Sequence, residues 1–160
     1  MNAKNTTANN MSKVQLFLDS SALFAGIVSP DGGARVLLLL AENQRIHIVI
    51  SEQVVIETER AIARKLPTAL ADVRQVIAKS VYRIVKNPSP QDVSARLDWL
   101  PDPTDVPILV AAMQTGVDFF VTHNRKHFLE DGQLPQRAGL RIGPPGDALT
   151  WLREAIFPAR

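Results

Sequence analysis

Two apolar stretches, far apart in the chain, each run into a residue that carries an acid or its amide analogue. Leu16-Phe17-Leu18 runs into Asp19-Ser20-Ser21, and Asp118-Phe119-Phe120-Val121-Thr122 runs into His123-Asn124. Between them Pro101-Asp102-Pro103-Thr104-Asp105 opens an apolar helix. An acid at the end of a buried strand is costly unless something compensates its charge. Several such ends set side by side in a parallel sheet form a ligand crevice. Clustered carboxylates call for a cation, and Mg²⁺ or Mn²⁺ is the obvious one.

The rest of the chain fits that frame. Its 160 residues suit one domain, and 46% hydrophobic content is enough for a full core. The net charge is only +2, so any nucleic-acid binding must come from a local patch. Cys is absent, which excludes disulfides, thiolate catalysis and Cys-based zinc sites and makes a reducing cytoplasm the natural compartment. The longest purely apolar run, Val36 to Ala41, is far too short to span a membrane. The Asn- and Thr-rich start reads as a disordered leader over residues 1–12, with the folded domain over 13–160.

Strands are expected at Val14–Leu18, Ile46–Ile50, Arg83–Lys86 and Asp118–Thr122, with a weaker one at Gly139–Ile142. Helices are expected at about Ala34–Asn43, from the Ser51 cap to Leu66, and at Thr68–Tyr82. Others follow at Gln91–Leu97, from Asp105 to Thr115, and from Pro144 through Leu152. Strands alternating with helices imply a mainly parallel sheet covered on both faces.

Each acid has two readings at this level. Asp19 is a metal ligand or an Asx-turn and helix cap, since Asp-Ser-Ser suits both. Asp105 sits at a helix start, where the dipole favours an anion for capping as much as for chemistry. Asp102, between prolines, reads as a solvated loop residue. Glu57 and Glu59 flank the apolar stripe of their helix, and periodicity does not choose between them. His123 and His127 have i,i+4 spacing but lack the intervening Glu of a zinc helix, so packing or loop hydrogen bonding is favoured. His47 reads as a packed strand residue. Arg125 and Lys126, next to the second strand end, are candidates to grip phosphate.

Taken together, these residues resemble the PIN domain family, the nuclease fold of VapC-type toxins. The resemblance rests on Leu18-Asp19-Ser20-Ser21-Ala22-Leu23, on Ser51 to Glu57, on Asp102-Pro103-Thr104-Asp105-Val106-Pro107-Ile108-Leu109, and on Gly116-Val117-Asp118-Phe119-Phe120-Val121-Thr122-His123-Asn124. It covers about Val14 to Leu152. It implies a three-layer α/β/α fold with a central, mainly parallel sheet. It also selects Glu57 over Glu59 and implies catalytic Asp19, Glu57, Asp105 and Asn124, the three acids holding Mg²⁺ or Mn²⁺. One departure stands out: the usual fourth acid is Asn124 here, an amide that can ligate but removes one negative charge.

The implied reaction is metal-dependent hydrolysis of RNA by the toxin component of a toxin–antitoxin system. Ser21 and Thr122 would hold water or a phosphate oxygen at the cofactor, and Arg125 and Lys126 would contact nucleic acid. The implied partners are RNA, an antitoxin protein and a second copy of the chain, with no membrane. The alternative is a non-catalytic RNA- or protein-binding PIN module with a degenerate metal site. A response-regulator receiver is disfavoured, because Asn87-Pro88 follows the third strand where a phosphoacceptor acid would stand.

Overall fold

The computed structural model describes residues 13–156. The leader expected over residues 1–12 lies outside the described residues. The chain opens with β1 (Gln15–Leu18), α1 (Ser20–Val28), α2 (Gly33–Glu42), β2 (His47–Ser51), α3 (Glu52–Lys65), α4 (Leu70–Ser80) and β3 (Val81–Val85). It continues through α5 (Pro90–Ser94), α6 (Val106–Thr115), β4 (Phe119–Val121), α7 (Leu134–Ala138), β5 (Arg141–Gly143) and α8 (Pro145–Ile156). The strands form one sheet in the order β3-β2-β1-β4-β5, and every adjacent pair is parallel. Helices cover both faces, giving the expected three-layer α/β/α architecture.

Parallel neighbours require crossover connections, and these are right-handed. The chain therefore steps outward from β1 to β2 and β3 on one side, then returns to lay β4 and β5 on the other. At β1 and β4 the direction of winding reverses, which leaves a crevice beyond their C-terminal ends. Both strands are apolar along their length because both of their faces are covered. Leu16, Phe17, Leu18, Phe119, Phe120 and Val121 are all buried, and the Phe17 and Phe120 rings stack with centroids 5.7 Å apart. The register pairs Leu18 with Val121. Asp19 and Thr122 therefore leave their strands at the same level.

Several elements differ from the sequence expectation. α1 stands where no helix was assigned, because Asp19 itself caps it: the Ala22 N–H donates to Asp19 Oδ1 at 2.9 Å. α1 then packs closely on α2, and a methyl added at Gly26 would lie 2.6 Å from Leu38 Cδ1. α4 ends at Ser80, not Tyr82, and β3 begins at once with the β-branched Val81. A π-helical turn over Arg125–Leu129 and the short α7 were also unassigned. β5 begins at Arg141, because Gly139 adopts a left-handed φ of 66° and closes α7. His47 is packed as expected, its ring stacked on Tyr82 at 3.7 Å. Among the described residues, no single helix is long and apolar enough to cross a membrane.

Candidate active site

The parallel arrangement puts the C-terminal ends of the strands at one edge, and the candidate residues gather there. β1 delivers Asp19. β2 ends at Ser51, whose hydroxyl accepts the Val54 N–H and caps α3. Glu57 lies on the second turn of that helix. Asp105 stands immediately before α6, and β4 delivers Thr122, His123 and Asn124.

Asp19 is only 3% exposed, and its carboxylate is held by several donors. Thr122 Oγ1 donates to Oδ2 at 2.5 Å, while Ser21 Oγ and the Ala22 N–H donate to Oδ1 at 2.7 and 2.9 Å. These bonds favour the anion, yet burial outweighs them and pushes the Asp19 carboxyl up to about 6. The negative charge of Asp105 adds to the rise. Ser21 and Thr122, expected to hold water or a phosphate oxygen, direct their protons to Asp19. Their own oxygens accept the His123 and Asn124 backbone N–H groups at 3.0 and 2.9 Å. The two loops after β1 and β4 are thereby tied together.

Glu57, rather than Glu59, faces this edge. Ser20 Oγ donates to Oε2 at 2.8 Å, and Gln53 Nε2 donates to Oε1 at 2.9 Å. The same Gln53 amide group donates to the Thr104 carbonyl at 2.9 Å, which links α3 to the turn carrying Asp105. Burial is the main reason the Asp105 carboxyl is raised, with Asp102 and Glu57 adding repulsion and His127 opposing it. Asp102 lies on the solvent side of Asp105. Its Oδ1 accepts from the backbone N–H and hydroxyl of Thr104 at 2.9 and 2.7 Å, which hold its carboxyl below the ordinary value.

Asn124 is turned toward the loop that follows it. Its Oδ1 accepts the His127 N–H at 3.2 Å and caps the π-helical turn, while Nδ2 lies 2.8 Å from His127 Nδ1. That ring nitrogen is also 2.6 Å from Asp105 Oδ2. Arg125 and Lys126 are the exposed first residues of the turn. Asp118 is at the opposite end of β4, where it accepts the Gln15 N–H.

Two residues of this site went unflagged in the sequence. Gln53 precedes Glu57 by one helical turn, a spacing that places both on one face. His127 follows Asn124 by three residues and was read as packing. Neither has a composition signature; only the tertiary approach of α3, the Asp105 turn and the β4 loop gives them a role.

Among the described residues, no Lys or Arg pairs with Asp19, Glu57, Asp102 or Asp105. Donor atoms of Asp102, Asp105 and His127 lie within 4.8 Å of one another. Carboxylates that raise one another and lack a basic partner fit a hard divalent cation.

The sequence model of the PIN domain family matches residues 15–126. No curated protein matches at a significant level. Among solved structures, VapBC2 from Rickettsia felis, bound to a DNA fragment from its promoter, has a TM-score of 0.58 and 16% identity, covering 82% of this chain and 98% of that one. VapC20 of Mycobacterium tuberculosis, a toxin that cleaves the sarcin–ricin loop, has a TM-score of 0.50 and 14% identity, covering 76% of this chain and 94% of that one. These likenesses extend the agreement in fold beyond β4. The sheet order, the acids at the strand ends and the match across 112 of 160 positions converge: the chain belongs to the PIN domain family.

Proposed function

We propose that the protein is a metal-dependent endoribonuclease, the toxin of a toxin–antitoxin pair. The observation that carries this reading is the gathering of Asp19, Glu57 and Asp105, from distant parts of the chain, at one strand edge with no Lys or Arg among them. Mg²⁺ or Mn²⁺ would be held by these carboxylates; when bound, it supplies charge for the phosphate oxygens and acidifies water. Asp19 is fixed by Thr122, Ser21 and the start of α1, so it anchors the site without rearranging. Glu57 is set by Ser20 and Gln53. Asp105, half-buried and raised, is the carboxylate suited to orient the attacking water and accept its proton. Arg125 and Lys126 are placed to meet the RNA backbone.

The R. felis relative is a toxin–antitoxin assembly, which supports an antitoxin protein as the partner here. A second copy of this chain is the other expected partner, and the cytoplasm the expected compartment. The competing reading, a non-catalytic binding module, draws on Asn124, whose oxygen is already engaged by His127. Incubating purified protein with structured RNA separates the two. The nuclease cleaves in Mg²⁺ or Mn²⁺, stops in EDTA, and loses cleavage in Asp19→Asn while RNA binding persists. Equal cleavage by wild type and Asp19→Asn identifies a contaminant and removes the catalytic reading.

A further inference from the structure

We propose that His127 is itself a ligand of the cation, beside Asp105 and Asp102, and that this nitrogen donor shifts the site's preference toward Mn²⁺ over Mg²⁺. The inference rests on the metal-nuclease reading and specifies the ligand shell.

The geometry around Asn124 leads there. The His127 backbone N–H donates to Asn124 Oδ1, which fixes the orientation of the amide. A flipped amide would set its NH₂ against that N–H. Asn124 Nδ2 therefore faces His127 Nδ1 at 2.8 Å as a donor, and a donor there is matched by a bare ring nitrogen. Asp105 Oδ2 approaches the same nitrogen to 2.6 Å and also presents lone pairs. Two electron-rich atoms this close need a proton or a cation shared between them. Adjacent donors on an octahedral ion with bonds of about 2.1 Å lie roughly 3 Å apart. The pair reaches that spacing by opening a few tenths of an ångström.

The third donor is Asp102. Thr104 occupies its Oδ1 from two directions, which leaves Oδ2 available. All three side chains are half-buried, so the position is open to solvent and hydrated ions.

The chemistry explains why a nitrogen suits this chain. With an amide at the fourth position, the shell has lost one charge. An imidazole adds a donor without restoring that charge. Mg²⁺ favours an all-oxygen shell, whereas Mn²⁺ takes imidazole nitrogen readily.

The test uses the full chain and the metals alone. Calorimetric titration with MnCl₂ and MgCl₂ gives the ratio of the two affinities for wild type, His127→Ala and the control His123→Ala. Pulsed electron paramagnetic resonance of bound Mn²⁺ reads ¹⁴N coupling from a directly attached imidazole. The expected result is ¹⁴N coupling in wild type and its loss in His127→Ala. With it, the Mn²⁺:Mg²⁺ ratio falls at least tenfold through weaker Mn²⁺ binding, and His123→Ala changes neither. Bound Mn²⁺ without ¹⁴N coupling in wild type overturns the inference whether or not any variant folds, and so does an unchanged ratio in folded His127→Ala. Both results leave the metal-nuclease reading standing. Failure of wild type to bind either cation overturns both.

Discussion

β1 and β4 lie side by side, and each end of the pair carries an aspartate with a different fate. At the N-terminal end Asp118 is exposed and accepts one backbone N–H, from Gln15. At the C-terminal end Asp19 is enclosed and accepts from two hydroxyls and a backbone N–H. The residue type is the same and the strands are the same. The difference lies in which strand end meets the crossover helices: helices close over the C-terminal edge, where winding reverses, and strip water from Asp19. Desolvation then turns an ordinary turn acid into a group titrating near neutrality.

The largest way to probe that contrast is through pH. The Asp19 carboxyl rises from 3.8 to about 6, so the folded state holds its proton more tightly than the unfolded chain. The stabilisation from that proton is full below pH 4 and is lost as pH climbs through 6. At about 1.4 kcal/mol per unit, the swing is about 3 kcal/mol. Urea unfolding without metal should show wild type losing stability from pH 4 to pH 7. Asp19→Asn should flatten much of that slope and be more stable than wild type at pH 7. Asp105, raised with the same sign, keeps the residue of the slope. A wild-type profile as steep as that of the variant removes burial as the cause.

Thr122→Val should come next. It deletes the donor to a buried carboxylate and should cost about 2 kcal/mol at pH 7. The cost should shrink at pH 5, where Asp19 is largely protonated, and thermal melts at the two pH values read the difference. Asn124→Asp should tighten Mn²⁺ or Mg²⁺ binding by about tenfold, because it adds a hard anionic donor. Unchanged affinity by calorimetry puts that position outside the ligand shell. Asp118→Asn should do least: its bond is exposed and the amide oxygen still accepts, so stability should move by less than about 0.5 kcal/mol. Cleavage should not change, and a large drop would erase the contrast between the ends.

How far the sequence is legible follows the same division. Buried strands announce themselves because both faces must be apolar, so β1, β2 and β4 are readable to within a residue or two. β3 is an edge strand with Tyr82, Arg83 and Ile84 exposed, and its start merged with the helix before it. α1 is hidden because its cap is Asp19, a residue whose sequence context offered capping and chemistry as alternatives. The structure shows the cap: the side chain that starts the helix also lies in the crevice. Glu57 could be chosen over Glu59 only through resemblance, since their difference depends on where α3 sits against Ser20. Gln53 and His127 act through partners at the other end of long sequence separations, 51 residues to Thr104 and 22 to Asp105, which no local pattern records.

The central strand pair is fastened at both extremities, by Asp118 to the Gln15 amide at one and by Thr122 to Asp19 at the other. Backbone bonds reinforce each end, Asp118 N–H to the Gln15 carbonyl at 2.8 Å and Asp19 N–H to the Val121 carbonyl at 3.1 Å. A shift of one residue between β1 and β4 would turn every side chain to the opposite face and break both fastenings together. The anchor of the crevice therefore cannot loosen by fraying. In amide hydrogen exchange, the Asp19 N–H should open only with the whole domain, placing this part of the site in its most protected cooperative unit. The exposed turn at Arg125 and Lys126, on the same crevice, should exchange freely. A rigid anchor beside a yielding rim lets the chain adapt to differently shaped RNA without moving its carboxylates.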